Sequence, residues 1–238
     1  MKFMKKNLIL LLLATLAFGF VLPSGDCGSL LFFKEGTRIT LTSYASDDKL
    51  LGSSKTTYDK VTKTADGAVV QASQESFDKK GKSQSKSNFT LKCANGTLFF
   101  DLKMMLDQKQ AESYKDFEVQ VEGTDKEIPS NLTVGKTLKD AAVKFSFKTK
   151  DGTALPMMNM EINVINRKIA GIENVTSPAG TWECFKLTED IEIKSIIKMK
   201  GSSITWFNYE AGIVKTESYN EKGKLTGKTL LTELIPGK

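Results

Sequence analysis

VKFSFK, running from Val143 to Lys148, alternates an apolar residue with a polar one at every step. Successive side chains of an extended strand point to opposite faces, so Val143, Phe145 and Phe147 share a dry face while Lys144, Ser146 and Lys148 share a wet one. The same period of two recurs in Phe117, Val119 and Val121 against Glu118, Gln120 and Glu122. It recurs again in Ile39 and Leu41 against Thr40 and Thr42, and in Ile191 and Ile193 against Glu192 and Lys194. Strands wetted on one face belong to antiparallel sheets, because a parallel sheet buries both faces and loses the alternation. Turn pairs punctuate the strands at Asp66-Gly67, Lys80-Gly81, Asn95-Gly96, Asp151-Gly152, Ala179-Gly180 and Lys222-Gly223. ESFDKKGK at Glu75 to Lys82 returns as ESYNEKGK at Glu217 to Lys224, with a looser copy, SYASDDKLLG, at Ser43 to Gly52. A glycine closing a short polar run supplies the left-handed residue that a three- to five-residue hairpin loop needs. The pattern predicts an all-β chain: a single domain of antiparallel hairpins forming a strongly curved sheet or incomplete β-barrel. One short helix is expected near 102–114, where Leu102, Met105 and Leu106 share a face and Gln108 to Glu112 suit a helix.

The N-terminus reads as a secretory signal peptide over residues 1–19, with a basic region at Lys2, Lys5 and Lys6 and an apolar run from Leu8 to Leu16. Ala17 and Gly19 place cleavage after Gly19, or at a later cut near Gly25. Residues 20–238 then form the mature domain, expected to be periplasmic or extracellular and without a membrane span. A mature chain of about 219 residues can bury roughly 70% of its unfolded surface, enough for one core. The polar stretch Glu122 to Gly135 is the nearest thing to a linker and could divide two halves of one sheet or, as the lesser alternative, two small domains.

Losing the signal removes three lysines and takes the formal net charge from +6 to +3. Arg38 and Arg167 are the only arginines, so the positive charge is nearly all lysine. Nucleic-acid recognition leans on the planar fork of arginine, and lysines that alternate with acids, as Lys79-Lys80 beside Asp78 and Lys222 beside Glu221, read as a solvated surface rather than a nucleic-acid or anionic-membrane footprint. The Arg-poor composition also has a bacterial look, which makes the sequons at Asn88, Asn95, Asn131 and Asn174 chance matches.

The mature chain keeps three cysteines, Cys27, Cys93 and Cys184, so at most one internal disulfide forms. Cys27 with Cys93 is the structural pair expected, because it would pin the N-terminal segment to the first half of the sheet. Asp26 is a poor fit to the small residue that precedes a lipidated cysteine, which argues against an anchor at Cys27. Cys184, mid-strand between Trp182 and Phe185, is expected to be a buried free thiol.

No histidine occurs in the chain, which removes Ser-His-Asp and Cys-His pairs and His-ligated zinc. Ser83-x-x-Lys86 and Ser195-x-x-Lys198 match a nucleophile spacing, but both fall on expected strands rather than at a helix start. Glu189, Asp190 and Glu192 crowd one strand, and Asp47-Asp48 sit in a turn. Glycoside hydrolysis needs two carboxylates across a cleft, and a solvated strand face accounts for these acids more simply. Met157, Met158 and Met160, with Met104-Met105 elsewhere, could suit Cu(I), but no histidine or nearby cysteine completes a site. Neither a metal nor a cofactor is expected. The methionines, with Trp182 and Trp206, read instead as a candidate apolar groove.

NRKIAGIENVTSPAGTWECFKL at Asn166 to Leu187 and WFNYEAGIVKTESYNEKGK at Trp206 to Lys224 carry a family resemblance. So do FFKEGT at Phe32, LKCANGTLFFD at Leu91 and PSNLTVGKTL at Pro129. The chain resembles the TapB-like exported proteins of bacteria across its mature length. The resemblance implies a β-rich exported protein with no assigned activity and supplies no catalytic residue. Locally, Pro178 presets a turn and Gly180 offers a positive φ for the chain to reverse toward Trp182.

The function expected is a non-enzymatic envelope protein that binds an apolar or lipid-like ligand, or a protein partner, on the concave face of the sheet. The alternatives are a carboxylate-dependent hydrolase or carbohydrate-active enzyme using the acids near Glu189, and a purely structural or surface-interaction protein.

Overall fold

The protein was characterised as a computed structural model that describes residue 30, residues 33–102 and residues 117–237. Among these described residues, thirteen strands follow in chain order: β1 Arg38–Ala45, β2 Leu50–Thr64, β3 Gly67–Asp78, β4 Ser83–Ala94, β5 Thr97–Phe100, β6 Phe117–Gly123, β7 Lys126–Pro129, β8 Ala141–Thr149, β9 Met160–Ser177, β10 Gly180–Lys194, β11 Met199–Asn208, β12 Gly212–Asn220 and β13 Leu225–Ile235. All belong to one antiparallel sheet in the order β6, β8, β9, β10, β11, β12, β13, β1, β2, β3, β4, β5, β7. The alternation that predicted these strands is visible in burial: Val143, Phe145 and Phe147 on β8 are each 2% exposed or less. The helix expected near 102–114 lies outside the described residues from 103 onward. Ser195 to Lys198 proves to be the turn between β10 and β11, not a strand segment.

The first and last strands meet in the middle of the sheet, where β1 pairs with β13. Conversely β6 and β7, only Thr124 and Asp125 apart in sequence, form its two opposite edges. A sheet whose edges are joined by two residues must bend back on itself, and the ladder between those edges stays open. The polar stretch from Glu122 to Gly135 therefore runs from one edge of the sheet into the other.

The repeated hairpin tips are the same structure twice. Asp78 N donates to Lys82 O (3.0 Å) and Gly81 N to Asp78 O (2.9 Å). In the second copy Asn220 N donates to Lys224 O (3.0 Å) and Gly223 N to Asn220 O (2.8 Å). Gly81 and Gly223 adopt φ of 76° and 70°, the left-handed region that a side chain would strain. The Asp78 and Asn220 side chains each accept two backbone N–H groups of their own loop. The third copy keeps the backbone bonds, from Ala45 N to Lys49 O and Asp48 N to Ala45 O.

Among the described residues, three hydrophobic clusters fill the fold. The largest gathers Tyr58, Val70, Leu91, Ile128, Ile169, Leu187 and Phe207. A second lies under β8 and β9 around Phe145, Phe147 and Val164. A third holds Cys184, Trp206, Val214 and Leu231.

Candidate functional site

Two features stand out: a buried charge network where the open ladder is bridged, and a polar groove on the opposite wall. The network begins with a bulge in β9. Asp190 pairs with Ile165 and Thr188 with Lys168, so Asn166 and Arg167 together oppose the single residue Glu189. Asn166 takes φ of 54°, and a bulge of this kind re-aims the side chain beside it. Arg167, 1% exposed, donates from Nε to Glu189 Oε2 (3.4 Å), from one terminal nitrogen to Lys139 O (2.5 Å) and from the other to Glu127 O (2.9 Å). Glu189, 5% exposed, also accepts from Lys126 Nζ (2.5 Å) and Ser203 Oγ (3.1 Å). Burial holds the Lys126 ammonium and the Arg167 guanidinium below their ordinary pKa values, and Glu189 offsets part of that loss in both. Lys126 and Glu127 belong to the edge strand β7, so side chains make the connection that the ladder leaves unmade. Tyr209 Oη adds a second tie to Pro129 O at the end of β7 (2.7 Å).

The groove crosses β13, β1, β2, β3 and β4 and encloses about 600 Å³. Register builds it from two cross-strand rows: Ile235, Arg38, Thr57, Ser73 and Asn88, then Glu233, Thr40, Lys55, Glu75 and Lys86. These positions alternate with Tyr58 and Ala72 of the core, so they occupy the face turned away from it. Thr40 Oγ1 donates to Glu233 (2.9 Å), Lys86 pairs with Glu75 (3.5 Å), and Ser73 Oγ donates to Asp59 (3.2 Å). A hydrogen bond from Ser83 and the charge of Lys86 hold the Glu75 carboxyl below its ordinary range. A smaller cleft of about 390 Å³, lined by Asp59, Gln71 and Thr90, adjoins the groove through the shared Asn88. Hydroxyls, amides and charges of both signs, spaced about 4.8 Å apart from strand to strand, offer hydrogen bonds to a polar ligand and little apolar contact.

The residues singled out in the sequence are distributed differently. Met157 is 77% exposed, while Met158 and Met160 pack against the cluster under β8 and β9. Trp182 and Trp206 belong to the third cluster, so the five residues divide between two clusters and the solvent and line no common groove. The Trp182 ring lies over Gly180, and Trp206 donates from Nε1 to Glu173 (2.8 Å) with Lys215 and Lys186 against its ring. Cys93 is buried at 1% exposure, and Cys27 lies outside the described residues. Cys184 is free and fully buried, as expected.

The solvated acidic face expected on β10 needs correction. Glu189 points inward and is neutralised, while Asp190 accepts from Asn166 Nδ2 and Glu192 pairs with Lys200. Sequence reasoning missed Arg167 and the groove. The one available signal was the rarity of arginine: in a chain with two arginines among its many lysines, each arginine is a position to examine for a site that needs a planar fork.

A family model described as DUF3108-like matches residues 34–231. A search of curated proteins finds no match. One similar solved structure is a candidate exported protein with a YmcC-like fold from Bacteroides fragilis, 22% identical, with a TM-score of 0.68 over 85% of this chain and 96% of that one. Another is a candidate lipoprotein from Parabacteroides distasonis, 23% identical, with a TM-score of 0.69 over 89% of this chain and 100% of that one. At these identities the likeness is one of fold.

Proposed function

Because this chain belongs to the DUF3108-like family, whose model spans nearly all of the described sheet, we propose that it is an exported, non-enzymatic envelope protein that binds a polar, hydroxyl-rich ligand such as an oligosaccharide. The observation that carries this reading is the groove of about 600 Å³ lined by Arg38, Thr40, Lys55, Glu75, Lys86 and Asn88, a volume within the usual range of ligand sites. The apolar ligand expected from the sequence has less support. The apolar cavity between Ile39, Tyr58, Leu91, Phe100 and Phe207 measures about 60 Å³, far below what an acyl chain occupies.

Export is supported by the signal-like N-terminus and by the descriptions of the two fold neighbours. The TapB-like resemblance belongs to this proposal as a closer naming of the same exported group. A non-enzymatic role is supported by the lack of histidine and by Glu189, whose charge is committed to Arg167 and Lys126. A carboxylate hydrolase needs two free acids facing one cleft, and the acids of β10 are divided between its two faces.

The test is an NMR titration of the mature chain with neutral and acidic oligosaccharides, alongside native mass spectrometry of the protein as purified. Shifts confined to β13 and β1–β4, reduced at least tenfold in affinity by Arg38→Ala with Lys55→Ala, are expected. A co-purifying acyl ligand, or shifts that ignore the two substitutions, would overturn the reading.

A further inference from the structure

The sheet has two unlike ends. The hairpin turns 46–49, 79–82, 150–159, 195–198 and 221–224 all lie at one end, and those at 65–66, 95–96, 178–179 and 209–211 lie at the other. The first five carry eight lysines against four acids, whereas the other four carry Asp66 and Glu210 and no lysine. Two of the four acids are already spent, Asp47 on Lys49 and Asp48 on Lys228. Lys79, Lys80, Lys82, Lys198, Lys222 and Lys224 are exposed and form no ion pair among the described residues.

The same end also holds six of the nine large hydrophobic side chains that stand exposed among the described residues. They are Leu50 (42%), Leu51 (55%), Met157 (77%), Ile196 (76%), Ile197 (69%) and Met199 (53%). Single exposed apolar residues need no explanation, but a concentration on one rim does. Register makes the rim continuous: Lys194 pairs with Glu161, Gly201 with Asn220, Ala45 with Gly227 and Gly52 with Asp78, so neighbouring turns stand two strands apart. Five turns at that spacing extend roughly 40 Å along the sheet.

We propose that this rim docks on the surface of a bilayer containing anionic phospholipid, with the isoleucine, leucine and methionine tips entering the headgroup region and the unpaired lysines meeting lipid phosphates. Charge complementarity selects this occupant. Apolar tips set among unpaired cations match an interface that is apolar within and anionic at its surface, and the acidic turns would face away from it. The proposal is independent of the polar groove, which lies on the wall of the sheet and not at its end.

The experiment is sedimentation of the chain lacking residues 1–19 with vesicles of phosphatidylethanolamine containing roughly one quarter phosphatidylglycerol, at low and high salt, against phosphatidylcholine vesicles. Binding to the anionic vesicles that weakens with salt is expected. Each lysine removed should weaken partitioning about fivefold, so Lys198→Ser with Lys222→Ser and Lys224→Ser should cost about 100-fold. Ile196→Ser with Ile197→Ser should abolish binding at the protein concentrations used for the parent. All five positions are exposed, and unchanged thermal melts would verify folding. Absence of binding by the folded parent, equal binding to phosphatidylcholine, or undiminished binding by either variant would overturn the proposal. So would loss of a self-associated form in the variants without any change in vesicle binding.

Discussion

Replacing Glu189 by glutamine keeps its shape and removes its charge, leaving the buried Arg167 and the half-buried Lys126 without the carboxylate they share. Arg167 is 1% exposed and its Nε faces Glu189 at 3.4 Å, while the Lys126 ammonium stands 2.5 Å from the same carboxylate. Breaking a buried ion network by removing one partner costs about 3–5 kcal/mol, because the charge left behind is neither solvated nor paired. Lys126→Met is the informative contrast. It leaves one cation facing one anion, and the lysine side chain it removes is already 21% exposed, so about 1 kcal/mol is expected from its lost hydrogen bond. For a domain of this size each kcal/mol lowers Tm by about 2–4 °C, which places Glu189→Gln roughly 6–20 °C below the parent and Lys126→Met within about 4 °C of it. Urea denaturation followed by the fluorescence of Trp182 and Trp206 measures both. If Glu189→Gln cost under about 1 kcal/mol, or Lys126→Met cost as much as Glu189→Gln, the network would not be closing the fold as argued.

Burial pushes the Cys184 thiol up from 9.0 to about 12, so the native protein should resist alkylation at pH 8.5 and react only on unfolding, as a thiol-titration time course would show. The stability contributed by keeping that thiol neutral is complete below pH 9 and declines as the pH rises from 9 toward 12, because the unfolded thiol ionises first; a flat profile of Tm against pH across that range would refute the assignment. Gly180 adopts φ of 148°, and a Cβ there would lie 2.9 Å from Trp182 Cη2. Gly180→Ala should therefore cost about 1–3 kcal/mol, measured by urea midpoint, with an unchanged midpoint counting against the motif's structural role. Cys27 and Cys93 are proposed to form a disulfide that adds about 4 kcal/mol by loop entropy. Intact mass of the mature protein before and after reduction should differ by two hydrogens, and a diacylglycerol adduct on Cys27 would decide for a lipid anchor instead.

The local order of this protein was legible in one dimension. The period of two in VKFSFK and its counterparts became β8, β6, β1 and the end of β10 because one-sided burial rewards alternation directly. ESFDKKGK and ESYNEKGK became matching loops because Gly81 and Gly223 permit a conformation that few other residues tolerate. Cys184 was readable as a buried thiol from its apolar neighbours alone. The candidate sites were less legible. Glu189 looks like a surface acid beside Asp190 and Glu192, and only the extra residue in β9 turns Arg167 toward it. The polar groove draws on five strands distant in sequence, from Arg38 to Ile235, and single-strand patterns carry no record of which rows will align.

The sequence by itself determined the antiparallel strands, the turns between them and the wet and dry faces, since each follows from the conformational preferences of a few neighbouring residues. Only the tertiary structure decided that β13 meets β1, that β6 and β7 become opposite edges two residues apart, and that Lys126, Arg167 and Glu189 tie β7 to β9 and β10. Those outcomes depend on register summed over thirteen strands. A bulge of one residue changes which face a side chain joins, and with it which charges are buried together.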